Sequence, residues 1–451
     1  MFTAWRMNIS IFKAALLEHI SQPMGEISMS KHNSALPGPD DIYRTELSNG
    51  ITVVTRSNFN SPSVVIRGYF NAGSLFDPEE KLGLADFVSS ALMRGTNKHG
   101  FDEIYNILES TGASLGFNTG AHTSRFSGRS LAEDLPLLLG LLAETMTQPN
   151  FPKAEIEILR AQILTGLSIS AEDTSDMASE TFDKILFKNH PYSLPDEGTP
   201  ETIQKIKRND LLKFHRDQYG PRGMVIAVVG AVEAEEAVRQ VKRALGGWHV
   251  KGQEDSPELP ELKPLKRTVR KHHRIKGKSQ SDIVIGTNGP RRKDAEFMSA
   301  SLGNNILGQF GMMGRIGESV REKAGLAYYA YSSLNAGIGP GSWEVDAGVN
   351  PTNVDKATGL IVEELRRFVQ DGVTEDELAD SKANFIGRLP LSLESNGGVA
   401  GALLNIERHN LGLAYYQRYA DLVNEVTCEE VLNTVQKYID PDKLAIAVAG
   451  P

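Results

Sequence analysis

Residues 83–96 read G-L-A-D-F-V-S-S-A-L-M-R-G-T, and three polar side chains in this stretch, Asp86, Ser89 and Ser90, share one face with Met93 at helical spacing. Leu84, Phe87, Val88, Ala91 and Leu92 recur at i, i+3, i+4, i+7 and i+8, which predicts an apolar stripe turned to a core. The other face therefore presents one carboxylate and two hydroxyls. That set is poorly equipped for metal chemistry, because zinc takes thiolate, imidazole or carboxylate ligands and a neutral hydroxyl serves it badly. Asp86 alone does not hold a metal. A second polar pair lies in R-E-K-A-G-L-A-Y, where Arg321 and Tyr328 stand seven residues apart. A guanidinium and a phenol could serve a developing oxyanion, but the residues alone do not assign them that role. The plainer alternative makes Arg321 an ion-pair partner of Glu318 or Glu322 and Tyr328 a packed strand aromatic.

Three further features carry less chemistry. The segment L-G-Q-F-G-M-M-G-R places Gly308, Gly311 and Gly314 every third residue, yet no Lys-Ser/Thr follows as in a phosphate-binding loop, and the spacing is not the dinucleotide fingerprint. Met312 and Met313 would give it an adaptable apolar lip; a flexible turn without ligand is the alternative. Cys428 is the only cysteine, so no intrachain disulfide forms, and in V-T-C-E-E-V it reads as a buried or half-buried thiol at a helix start opened by Thr427 or by Cys428 itself. Residues 266–278, K-R-T-V-R-K-H-H-R-I-K-G-K, read as a charged strand edge after a linker. His272 and His273 are adjacent there, so on a strand they point to opposite faces and do not chelate one ion.

The elements that must position these groups come in two similar sets. F-H-R-D-Q-Y-G-P-R-G-M-V-I-A-V-V-G over residues 214–230 and T-V-Q-K-Y-I-D-P-D-K-L-A-I-A-V-A-G over residues 434–450 both read as a helix tail with a Tyr, a Pro-containing turn and a buried strand closing on Gly. S-P-S-V-V-I-R-G-Y-F pairs with S-Q-S-D-I-V-I-G-T-N, and F-P-K-A-E-I-E-I-L-R with V-T-E-D-E-L-A-D-S-K. These correspondences predict an internal duplication. T-E-L-S-N-G-I-T-V-V-T predicts a hairpin turning at Asn49-Gly50. L-P-L-L-L-G-L-L-A-E-T-M and A-T-G-L-I-V-E-E-L-R-R-F-V have helical period and are expected to cover one face of each sheet. Residues 251–264 are polar, hold three prolines and lack periodicity, as an extended linker does. The expected fold is α+β, two homologous α/β-sandwich domains: an extension over residues 1–40, a first domain over 41–250, the linker over 251–264 and a second domain over 265–451.

Composition sets outer bounds. The chain has 451 residues, 40% of them hydrophobic and 23% charged, which gives room for two or more ordinary globular domains. A net charge of −9 disfavours nucleic acid as a partner, since phosphate binding needs concentrated positive charge. The N-terminal segment lacks the continuous apolar run of a secretion signal, being broken by Asn8, Ser10 and Lys13, and no run reaches membrane-spanning length. Arg6 and Lys13 on an amphipathic helix would suit an organelle presequence, and Glu18 opposes it. Met24 and Met29 are alternative starts, and the expected location is cytoplasmic.

The segment from Gly83 to Thr96 resembles the signature helix of the insulinase/pitrilysin family of zinc peptidases, whose pattern G-L-A-H-F-L-E-H-M-x-x-x-G-T carries an inverted H-x-x-E-H zinc motif. Asp86, Ser89 and Ser90 stand where the family has its two ligand histidines and its general-base glutamate. The family's third ligand is a Glu on a later helix; in E-I-E-I-L-R-A-Q-I-L-T-G-L the positions Arg160, Ile163 and Leu167 match and Gly166 fills the ligand slot. Leu159 replaces the partner residue that often supports that ligand. R-E-K-A-G-L-A-Y resembles the family's R-E-x-x-G-L-A-Y element, whose Arg and Tyr reach a substrate carbonyl, and the Gly-rich segment resembles a loop that contacts polypeptide. The resemblance spans residues 41–451. It implies a catalytically inactive, substrate-binding subunit with no cofactor of its own, paired with an H-x-x-E-H chain that carries the zinc and acting on peptides or unfolded polypeptides. The other roles it admits are a structural core-type subunit of a respiratory membrane complex, without itself entering the bilayer, and a homodimeric peptide-binding pseudoenzyme.

Overall fold

The computed structural model describes residues 36–311 and 314–451. The readings made on the N-terminal 35 residues and on Met312 and Met313 fall outside it. Asn49-Gly50 does turn a hairpin: β1 (Tyr43–Glu46) pairs antiparallel with β2 (Thr52–Ser57), and Gly50 takes a left-handed φ of +90° that glycine tolerates without strain. Asn49 fixes the turn by donating to the carbonyls of Leu245 at 2.9 Å and Trp248 at 3.1 Å.

With β3 (Ser63–Phe70), β4 (Ser114–Thr119), β5 (Ser124–Leu131) and β6 (Val225–Gly230), this hairpin builds a six-stranded sheet of order β1-β2-β6-β3-β5-β4. A second sheet contains β7 (Val269–Arg274), β8 (Ser281–Gly289), β9 (Ala327–Asn335), β10 (Gly341–Val349) and β11 (Ala445–Gly450), in the order β7-β11-β8-β10-β9. Without β1 the two orders match strand for strand. In each, the first pair is parallel (β2 with β6, β7 with β11) and the remaining pairs are antiparallel. The repeated closing strands are thus the visible part of a duplicated sheet. Residues 251–264 form no helix or strand between the two.

The helices that matter for the site are α1 (Leu84–Ala91), α2 (Leu135–Thr147), α3 (Lys153–Ser170), α4 (Thr174–Leu186), α5 (Phe297–Gly308), α6 (Val354–Asp371), α7 (Glu375–Ser392) and α8 (Asn396–His409). Phe87, Val88, Leu138 and Leu142 from α1 and α2 pack on Val53, Val64, Ile66 and Phe70 of the first sheet. Ile361, Leu365 and Phe368 of α6 pack on Ile283, Ile285 and Val345 of the second.

Cover on one face, as expected from the sequence, is only half of the arrangement. Val54, Val225, Ala227 and Val229 on the other face of the first sheet are covered by Val399, Ala400, Leu403 and Ile406 of α8, from the second half. Val284, Ala445, Ala447 and Ala449 of the second sheet are covered by Ala178, Phe182 and Ile185 of α4, from the first half. Each half therefore lends one helix to the other's sheet. The cause lies in β6 and β11: V-I-A-V-V-G and A-I-A-V-A-G are buried at every residue and have no polar face to leave in water.

At the margin of the second sheet, β7 is an edge strand, exposed from Arg270 to Arg274, so its Lys, Arg and His side chains line an edge that another chain would otherwise pair with. Thr427 caps the helix Cys428–Tyr438 by accepting from Glu430 N–H, and Cys428 is half-buried at its first position. Among the described residues no helix is long and apolar enough to cross a membrane.

Candidate functional site

α1 begins at Gly83, which has φ +87°, and the Asp77 carboxylate accepts from Gly83 N–H at 2.8 Å and Ala85 N–H at 2.9 Å. This capping fixes the helix start. Burial outweighs those hydrogen bonds and pushes the Asp77 carboxyl up to about 8. Arg160 on α3 stacks its guanidinium 5.2 Å from the Phe87 ring centroid and also donates to the Ile203 carbonyl. Thus α1 and α3, the two helices that carry Asp86, Ser89, Ser90 and Gly166, are locked side by side.

The polar groups on them do not form a ligand set. Asp86 is half-buried, and burial, reinforced by Glu197 and Asp196, raises its carboxyl to about 6. Ser89 is fully buried and its hydroxyl has no hydrogen-bond partner among the described residues. Tyr219, next to this face, has a phenol raised above its usual range by burial, with Asp86 adding to the effect; it lies near Ser124 but makes no hydrogen bond of ordinary geometry. Ser90 is half-buried, and a Cβ at Gly166 would meet nothing within 4 Å. One carboxylate that holds its proton more tightly than an ordinary aspartate, two hydroxyls and an absent side chain do not fit zinc.

Arg321 and Tyr328 lie elsewhere. Arg321 sits on a π-helical turn, Gly317–Lys323, that packs against β9, with its Nε 3.6 Å from Glu322 Oε1. Such turns occur often at functional sites. Tyr328 is 64% exposed, so it is not a packed strand aromatic. The β9–β10 register skips it, pairing Ala327 with Val349 and Tyr329 with Gly348, so Tyr328 is the extra residue of a bulge on an edge strand. Bulges re-aim side chains, and here the phenol is turned into solvent.

Two glycines of the Gly-rich segment have packing reasons. A Cβ at Gly308 would collide with the Ser332 backbone on β9, and Gly314, at φ +62°, would collide with the carbonyl of Ile306. Gly311 has φ +60° and open space around it.

The sequence reading missed a cavity of about 1030 Å³ between the two halves. Asp176, Glu180 and Asp183 of α4 line it together with Asp196, Glu197 and Glu344. The first three recur at i, i+4 and i+7, a spacing that marks one helix face, but their partners come from distant segments that no local pattern joins. Leu334 and Asn335, at the far end of β9, also line this cavity. Asn335 stands seven strand residues from Tyr328, about 23 Å at the usual rise, and neither Arg321 nor Tyr328 lines this cavity.

Burial, then Glu344, Asp196 and Glu180, raise the Asp183 carboxyl to about 7. The unfolded chain releases that proton near pH 4, so between about pH 4 and 7 the folded chain binds more protons and stability falls as pH rises. Asp183→Asn removes the penalty. Its melting temperature at pH 8 is expected to exceed that of the unsubstituted chain by about 2–4 °C, with the gap narrowing at pH 5. An equal gap at both pH values in thermal melts would contradict this origin.

Comparison with known proteins places these features. A family model described as insulinase (peptidase family M16) matches residues 52–199, and one described as peptidase M16 inactive domain matches residues 205–385. An uncharacterised zinc protease of Streptomyces coelicolor is 26% identical, covering 80% of this chain and 79% of that protein. The non-peptidase homologue YmxG of Helicobacter pylori is 23% identical over 89% of this chain and 92% of its own length. The crystal structure of a peptidase M16 inactive domain from Pseudomonas fluorescens superposes with a TM-score of 0.83 at 26% identity, covering 91% of this chain and 98% of that one.

Proposed function

The chain belongs to the insulinase (peptidase M16) family, and from that membership we propose that it is the catalytically silent, substrate-binding subunit of a split zinc peptidase acting on peptides or unfolded polypeptides. The observation that carries the reading is the replacement of every zinc-site group, at Asp86, Ser89, Ser90 and Gly166, on helices that keep their packing. A separate cytoplasmic subunit of the same family, bearing an intact H-x-x-E-H motif, supplies zinc and the general-base glutamate. This chain supplies Arg321 and Tyr328 as donors to the carbonyl oxygen of the scissile bond, where negative charge develops. The outer edge of β9 runs beside Tyr328 and, among the described residues, has no neighbouring strand, so an extended peptide can add there.

Reconstitution tests the reading. The chain and an H-x-x-E-H chain from the same source are expected to co-purify and to cleave an unfolded polypeptide together, with this chain inactive alone. Recovery of membrane cytochromes in a pull-down would favour the core-subunit role, and recovery of this chain alone would favour the homodimer.

A further inference from the structure

A second cavity, of about 580 Å³, opens on the face of the first sheet that α8 covers. Arg67 on β3, Arg125 on β5 and Arg408 near the end of α8 all line it. Strand register puts them on one side: Arg67 stands opposite Ser127, two residues from Arg125, and Asn118 on β4 stands opposite Arg125. α8 makes room for the first guanidinium, since a Cβ at Gly397 or Gly401 would stand only 3.3 Å from its Nη2 or Nη1. Arg408 donates to Thr123 Oγ1 at 3.3 Å and lies over the Tyr69 ring.

Among the described residues, no carboxylate forms an ion pair with Arg67, Arg125 or Arg408, whereas Arg44, Arg56 and Arg315 are each paired with an acid. Three cations facing one half-buried space repel one another. Burial and Arg125 lower the Arg408 guanidinium below its ordinary value, and burial, Arg292 and Arg408 push His409, also on the lining, down to about 4. An anion relieves this arrangement, and guanidinium forks are shaped for the two oxygens of a carboxylate.

We propose that this cavity binds a carboxylate side chain of an acidic peptide. The space is larger than a small inorganic oxyanion fills, and Tyr69 and Leu404 line it beside the guanidinium groups, which suits a carboxylate borne on an apolar stem. The proposal is independent of the split-peptidase reading, because the cavity is complete within this one chain.

Calorimetric titration of the isolated chain at low salt tests it, with acetylated, amidated tetraglutamate and tetraglutamine peptides and sodium phosphate as probes. The glutamate peptide is expected to bind at least about tenfold tighter than the glutamine peptide, and Arg67→Gln and Arg125→Gln each to weaken it about tenfold. Arg125→Lys recovers only part, since lysine lacks the fork. Both arginines occupy exposed positions and lose only mutual repulsion when neutralised, so melting temperatures should not fall, and Arg239→Gln on the helix Ala234–Leu245 should leave affinity unaltered. Equal affinity for the two peptides, or unchanged binding by Arg67→Gln and Arg125→Gln, overturns the proposal. Phosphate binding that the glutamate peptide does not displace also overturns it, and assigns the cavity to a free inorganic oxyanion.

Discussion

Phe182→Ala is expected to destabilise the chain by about 3–5 kcal/mol. Phe182 is 1% exposed, on a helix lent by the first half to the second sheet, and its cluster includes Ile275, Val284, Ala445, Ala447 and Ala449. Removing the ring forfeits its transfer energy and leaves a void that the neighbouring alanines, whose methyl groups have no rotamer to swing inward, cannot fill. The corresponding loss on α8, Leu403→Ala, should cost about 2–5 kcal/mol for the same reason. Urea unfolding followed by circular dichroism measures both. A cost below about 1 kcal/mol at either position would mean that the exchanged helices are dispensable covers rather than parts of one core.

The second large effect is on turnover. In the reconstituted pair, Arg321→Ala is expected to lower kcat by about 10²–10³-fold, the usual result of deleting a donor aimed at a developing oxyanion, with KM changed little. Tyr328→Phe removes the phenol hydroxyl while leaving the ring, and should act in the same direction. Because Tyr328 is exposed on a bulge, its loss should not alter the melting temperature of the isolated chain. Full turnover by Arg321→Ala would remove this chain's proposed contribution to catalysis.

Much of this was written locally in the sequence. The hairpin at Asn49-Gly50, the apolar stripe of α1 and the paired closing strands depend on short-range spacing, and each appears as read. The family membership was legible because the residues flanking Asp86, Ser89 and Ser90 keep the family's pattern. The exchange of α4 and α8 was not read, although β6 and β11, apolar at every residue, imply cover on both faces. Periodicity states that a face is apolar but not which helix meets it. The same limit hid both cavities: Asp183 meets Glu344, and Arg67 shares a cavity with Arg408, across separations that no local pattern spans. The bulge that exposes Tyr328 needs the register of β9 on β10, which only the folded sheet supplies.

Zinc content is the most direct test of the central claim, measured by elemental analysis on the isolated chain and on its complex with an H-x-x-E-H subunit, alongside hydrolysis of an unfolded polypeptide. The account predicts no stoichiometric zinc, no cleavage and no zinc-dependent rise in melting temperature for the isolated chain, and one zinc per pair with turnover for the complex. One tightly held zinc per isolated chain, coordinated at Asp86, or peptide cleavage by that chain alone, would contradict it.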